Sequence, residues 1–395
     1  MKRIVFLIFI AAAIAQTVYS RQHRELSQNS HISLITCDPG DELYSIFGHS
    51  AIRVFDDSLR INEVYNYGTF DFNTPNFYLK FANGKLDYML SAYNFKYFLP
   101  AYFREKRGVT EQLLNLTKDE KQRLYDALET NRLPQNKFYR YDFFFDNCAT
   151  RIRDIVLASV KGETGYTKKD TLNMTFRDML HLYLNRQPWT RDGIDIILGS
   201  KIDRKVTVWE SMFLPDYLKD YFLNVNIKSD GKVRPLVENE ISHLRFDKPA
   251  GNTSKFTPKY VTWSLFILLI FILIFEMRVL KKRIILIDRL LLLVTGVIGF
   301  VVFYLWFLTE HSATGANYNI MWAMPTNIIL AFSLKKISRS VFFRVLGYVT
   351  WGTLLVVLLF WKSMPQVLVP SAFPVALIIF IRMKGYLFDK RNVTS

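Results

Sequence analysis

Only two cysteines, Cys37 and Cys148, occur in 395 residues. The chain therefore has no cysteine-rich metal scaffold and at most one internal disulfide. No cysteine directly follows the first apolar stretch, so the chain is not expected to be a lipoprotein itself. His23, His31, His181 and His243 show no ligand spacing, and no zinc or nucleotide motif is found, which predicts neither metal nor cofactor. Internal repeats and long low-complexity linkers are also missing. Acidic residues are in the minority, 35 against 51 basic ones, for a formal net charge of +16. Much of that excess lies at the ends of apolar segments, where lysine and arginine orient membrane helices, so no nucleic-acid partner is expected.

What is present divides the chain. Met1-Lys2-Arg3 followed by a twelve-residue apolar run at 4–15 reads as a signal peptide over 1–20, with an uncleaved anchor as the alternative. Residues 21–255 mix polar and apolar positions, and 260–382 carry long apolar runs separated by short basic loops. Five spans are predicted, at 260–277, 290–308, 317–334, 345–361 and 366–382, followed by a tail at 383–395. The connections 278–289 and 335–344 and the tail are rich in lysine and arginine, whereas 309–316 has none. The bias places the basic loops and the C-terminus in the cytoplasm, and the soluble part with the Glu310-His311 loop outside.

That outer loop and the start of the next span are polar for a membrane entry. His311, Asn317, Asn319 and Trp322 either anchor the interface and bond neighbouring helices or face lipid head groups as a substrate site.

In the soluble half, 31–36 alternates as a strand, Pro39-Gly40 breaks it, and 51–55 resumes, which puts His49 at a strand start. Asp56-Asp57-Ser58 signals a hairpin returning over 61–68. A turn centred near Ser58 sets Asn66 opposite Ala51 and diagonal to His49, where it orients the imidazole. The aromatic run 138–145 is strand-like and read chiefly as core. Asp146-Asn147 then forms the N-cap signal of a helix over 149–160.

Cys148 is thereby placed at a helix N-terminus, whose N–H groups and dipole favour thiolate and can hold an oxyanion. A nucleophilic cysteine with His49 as its proton partner is one reading. A structural Cys37–Cys148 disulfide is the other. Asn147 either supplies an oxyanion donor or only caps. Residues 161–255 read as a mostly helical extension ending in a linker, Pro249-Ala250-Gly251-Asn252-Thr253-Ser254.

A strand-borne histidine followed by a helix-opening cysteine resembles the circularly permuted branch of the papain-like, NlpC/P60-like fold, which includes lecithin:retinol acyltransferase relatives. A more specific resemblance covers nearly the whole mature chain. Residues 36–50, Tyr67-Gly68-Thr69-Phe70-Asp71-Phe72, 141–151, Phe176-Arg177-Asp178, Gly193-Ile194-Asp195, Leu198-Gly199, Phe213-Leu214-Pro215 and 311–322 look like the Lnb family of Bacteroidota.

The resemblance implies an α+β architecture, with a permuted papain-like periplasmic core over 21–160 followed by a five-helix membrane bundle in the inner membrane. It also implies lipoprotein N-acylation, with a membrane phospholipid as acyl donor and a diacylglyceryl lipoprotein as acceptor. Carried onto this sequence, it marks Cys148 and His49 first. Glu42, Tyr44, Ser45, Asn66, Asp146, Asn147 and Arg151 come next, with Cys37 as a structural partner or second thiol. Glu42 and Tyr44 equally suit packing of the loop before His49. The competing functions are a membrane-anchored periplasmic cysteine hydrolase acting on cell-wall peptide, and a non-catalytic receptor or assembly factor with bridged cysteines.

Overall fold

A computed structural model describes residues 24–164, 171–247, 256–363 and 368–388. The signal peptide at 1–20, the linker at 249–254 and most of the tail lie outside the described residues. The chain forms two compact units.

The first unit comprises Met1–Tyr78, Lys85–Leu172 and Val206–Pro249. Its frame is an antiparallel sheet of seven strands: β1 His31–Cys37, β2 His49–Asp56, β3 Ile61–Thr69, β4 Asp87–Asn94, β5 Val109–Leu114, β6 Phe138–Arg140 and β7 Val237–Leu244, in the order β7-β5-β1-β2-β3-β4-β6. Two helices matter for the site, α1 Lys118–Arg132 and α2 Cys148–Ser159. Both begin in capping boxes, Thr117 with Glu120 and Asn147 with Thr150, which satisfy N–H groups that a helix start leaves open. Ile32, Leu34, Ile52, Val54 and Tyr65 on one sheet face pack with Leu124 and Leu128 of α1 and Ala149, Ile152 and Val156 of α2. The other face buries Ile35, Cys37, Ala51 and Val64 beneath Phe95 and Phe98. With both faces covered, β1 is buried at every position after His31.

Two expectations for this unit are corrected. The aromatic run 138–145 is a strand only over Phe138–Arg140. After it the Asp142 carboxylate accepts the N–H groups of Phe144 and Phe145, a side-chain turn that competes with the ladder. Residues 161–255 are less helical than their pattern predicts, because Val237–Leu244 completes the sheet as an edge strand. Its alternation is mostly polar, so no apolar face betrays it.

The second unit comprises Leu79–Gly84, Asn173–Lys205 and Ala250–Ser395. Helices α3 Phe176–Leu184 and α4 Pro188–Ile197 are tied together by Arg177, a fully buried cation that reaches Asp195 and Asp203 at 2.7 Å each and the carbonyl of Leu198. Among the described residues, three helices are long and apolar enough to cross a membrane: Pro258–Leu280, Ile285–Phe307 and Val341–Leu359.

The expected span at 317–334 is instead a 3₁₀ turn, an irregular stretch and the short helix Asn327–Ser333. Pro325 has no N–H to continue a helix through that stretch. The irregular backbone packs so closely that a Cβ on Gly299 would fall onto the Ala323 carbonyl. The last apolar segment forms a helix over Ala372–Phe388. Its Arg382 is buried against Glu276 and Asp288, with the Tyr386 hydroxyl donating to Asp288 at 2.7 Å, so this buried charge is paired.

Candidate active site

The ladder places His49 first. β2 pairs with β3 through Ile52↔Tyr65 and Arg53↔Val64, a register that sets Ala51 opposite Asn66, as the hairpin turn predicts. Nε2 of His49 lies 3.2 Å from Oδ1 of Asn66, and Nδ2 of Asn66 donates to the Val64 carbonyl at 3.2 Å. The amide is thus turned by its own backbone. Its oxygen can only accept, so Nε2 carries the hydrogen and Nδ1 is the basic nitrogen. Burial pushes the imidazole pKa down to about 4; Asn66 opposes the shift and the Arg107 guanidinium reinforces it. His49 is neutral at physiological pH.

Cys148 opens α2. The Asn147 side-chain oxygen accepts the N–H groups of Ala149 and Thr150 at 2.9 Å each and fixes the first turn. The backbone N–H groups of Ser50, Ala149 and Cys148 lie close enough to the sulfur to favour its thiolate form. The sulfur therefore abuts the peptide joining His49 to Ser50. The start of α2 that carries Cys148 thus meets the first peptide of β2, next to His49. A depressed thiol pKa is expected from a helix N-terminus, but burial wins: the Cys148 pKa is raised and the three N–H groups only partly offset it. At rest the site holds a neutral thiol and a neutral imidazole.

The remaining predicted residues divide by what holds them. Asn147 spends both amide hydrogens on the carbonyls of Phe143 at 2.7 Å and Phe213 at 2.8 Å, so it caps and has no donor left for an oxyanion. Asp146 and Arg151 form a two-pronged ion pair at 2.6 and 2.7 Å, and the guanidinium lies 3.5 Å from the centre of the Tyr139 ring. Ser45 is buried and builds the loop before His49, its hydroxyl donating to the Glu42 carbonyl at 3.0 Å. Glu42 and Tyr44 are exposed on that loop.

Cys37 pairs across the ladder with His49 and is a free thiol, as is Cys148, so the disulfide alternative has no counterpart here. Burial pushes the Cys37 thiol pKa up to about 12. His311, Asn317, Asn319 and Trp322 belong to the second unit. Asn317 and Asn319 bond the Ile196 carbonyl at 2.8 and 3.2 Å, Trp322 donates to Asn319 at 2.8 Å, and His311 lies 3.2 Å from the Ala82 carbonyl. The two asparagines tie the end of α4 to the chain after 316, and the tryptophan braces Asn319.

Three groups escaped the sequence reading. The Ser50 N–H is backbone and leaves no trace in residue type. Tyr139, counted as core, has a buried hydroxyl without a partner. A Cβ placed on Gly68 would stand 3.9 Å from that hydroxyl and 3.7 Å from Cβ of Cys148. Arg107 is buried, bonded through Nε to the Asp38 carbonyl and through Nη1 to Glu105, with Nη2 unpartnered.

A sheet domain with a helix-capped thiol, joined to apolar helices that can cross a bilayer, defines a membrane protein with a thiol-bearing soluble domain. Residues 19–182 match the Lnb N-terminal periplasmic domain, and residues 250–392 match the Lnb transmembrane domain. The chain belongs to the Lnb family. No curated protein and no solved structure matches it.

Proposed function

We propose that this protein is a membrane-bound lipoprotein N-acyltransferase working through a thioester on Cys148. The observation that carries the reading is the sulfur of Cys148, seated under N–H groups at a helix start beside the peptide of an Asn66-fixed histidine, in a chain of the Lnb family. In the first step the thiol attacks the ester carbonyl of a phospholipid. His49 takes the thiol proton at Nδ1 and returns it to the departing alcohol, leaving a thioester and a lysophospholipid. In the second step the α-amine of the lipidated N-terminal cysteine of a lipoprotein attacks the thioester. His49 takes the amine proton and restores it to the thiol as the amide forms.

Because both partners rest neutral, thiolate arises only as the proton moves, which suits an enzyme that must avoid idle hydrolysis. The N–H group of Cys148 and the Tyr139 hydroxyl are the donors assigned to the tetrahedral oxyanion. A chain tied to the bilayer stays in the layer that holds both lipid-bearing substrates, which lowers the entropic cost of their meeting.

The same reading includes a permuted papain-like core, five crossings of the inner membrane, a periplasmic catalytic domain and a cytoplasmic C-terminus. The test is mass spectrometry of the N-terminal lipopeptide of a reporter lipoprotein in cells lacking other N-acylation. An amide-linked acyl group with the wild type and none with Cys148→Ala is expected. A free amine in both, with the protein inserted, rejects the transferase and favours a periplasmic cysteine hydrolase.

A further inference from the structure

Between Cys148 and the protein surface runs a continuous series of aromatic rings, all within the sheet unit. A Cβ on Gly68 would stand 3.7 Å from Cβ of Cys148 and 3.4 Å from Cε2 of Tyr141, so Tyr141 is the thiol's aromatic neighbour. Tyr141 stacks on Tyr88 at 4.3 Å between centroids, and Tyr88 meets Phe70 edge-on at 5.4 Å. Phe70 touches Phe72 at 5.0 Å, Phe72 touches Phe77 at 4.9 Å, and Phe77 touches Tyr78 at 5.4 Å. The inner rings are half-buried, whereas Phe72 is 67% and Tyr78 80% exposed.

A chain of rings that passes from a buried thiol to open solvent is more than core packing, because Phe72 and Tyr78 at its outer end bury little. Large exposed aromatics of this kind suit the water–lipid boundary, where an apolar ring and a wet edge are both accommodated. The rings themselves present no charged group. A peptide substrate would need a row of donors and acceptors, and an acyl chain needs only apolar contact. The same polypeptide carries the Lnb transmembrane domain, so a bilayer accompanies this surface wherever the protein is.

We infer that the ring series from Tyr141 through Tyr88 and Phe70 to Phe72 and Tyr78 is the donor acyl-chain subsite, with the ester carbonyl at Cys148 at its inner end and the hydrocarbon chain lying along the rings toward Phe72 and Tyr78. The inference rests on the reading that Cys148 takes its acyl group from a phospholipid.

The experiment uses the full chain in vesicles of phosphatidylethanolamine and phosphatidylglycerol containing a phospholipid with a diazirine near the middle of one acyl chain. After irradiation, labelled peptides are mapped by mass spectrometry. Label on peptides containing Phe70 and Tyr88 is expected, in the wild type and equally in Cys148→Ala, because capture needs no turnover. Tyr88→Ser should lower that label about fivefold or more. Phe72→Ser, at a largely exposed position, should lower it several-fold in a protein of nearly unchanged melting temperature. Label confined to residues 258–388, or label on Phe70 and Tyr88 that neither substitution reduces, overturns the subsite. Labelled rings in a wild-type protein that transfers no acyl group reject the transferase reading alone, and normal transfer with unlabelled rings rejects the subsite alone.

Discussion

His49 and Asn66 are joined by a hydrogen bond whose direction is set outside the pair: the 3.2 Å contact from Nε2 to Oδ1 is fixed because the other end of the Asn66 amide is tied to the Val64 carbonyl. Asn66→Ala removes a bond worth about 1 kcal/mol and frees the ring, so the acyl-transfer rate should fall at least roughly fivefold. Asn66→Asp puts a carboxylate beside the imidazole, favours its charged form and moves the acid limb of the pH–rate profile upward. An unshifted limb in Asn66→Asp would show that the imidazole does not titrate with the reaction.

The burial of His49 also sets an acid limit on folding. Its folded pKa of about 4 lies below the ordinary 6.5, so between those values the unfolded chain binds the extra proton. The stability from the neutral, buried ring is fully present above about pH 6.5 and is lost as pH falls toward 4. Melting temperatures of wild type and His49→Gln, compared at pH 7.5 and 4.5, should show a shallower acid loss in the variant. Parallel curves would remove His49 as the cause.

The two thiols are predicted to differ in reactivity. Cys37 is pushed up to about 12 and sits beneath Phe95 and Phe98, so iodoacetamide at pH 8 should leave it unmodified in the folded protein. Cys148 should label slowly at pH 7 and faster as the pH rises. Cys37→Ala should retain acyl transfer. Its loss in a protein of normal melting temperature would make Cys37 a second functional thiol.

Gly48 turns the chain into β2 with φ +80°, and a Cβ there would stand 2.9 Å from the Cys37 carbonyl. Gly48→Ala is expected to cost about 1–3 kcal/mol, read as a lowered midpoint in denaturant. An unchanged midpoint would mean that the turn relaxes freely.

Asn147 separates capping from cross-linking. Asn147→Asp keeps the oxygen that caps Ala149 and Thr150 but loses both donors, leaving the Phe143 and Phe213 carbonyls facing a charge. We expect a loss of about 2 kcal/mol or more from calorimetry despite the retained cap. A loss of only a few tenths would reduce Asn147 to a cap.

Much of this site is legible in the residues because it rests on local rules. The alternation around His49, the turn at Asp56-Asp57 and the Asn147 cap act within a few residues, and together they fix the 51↔66 register and the position of Cys148. What stayed hidden depends on other scales. The Ser50 N–H has no side chain to announce it, and Tyr139 reads as any core aromatic until its hydroxyl is seen without a partner. The thiol pKa depends on burial supplied by distant segments, which outweighs the helix terminus that the sequence reveals. Asn317 and Asn319 look like a site because polar groups at membrane depth are unusual. Their partner, the end of α4, lies more than a hundred residues away.

The sheet's last strand has a consequence in time. β7 pairs with β5, Val237 with Leu114, although the ribosome makes it more than a hundred residues later, shortly before Pro258, where the first of the described helices that can cross a membrane begins. Until then the β5 edge is open to any passing strand. The nascent domain is therefore most exposed to mispairing just before its anchor emerges, and a slowed ribosome in this interval should harm yield more than one slowed within the membrane helices.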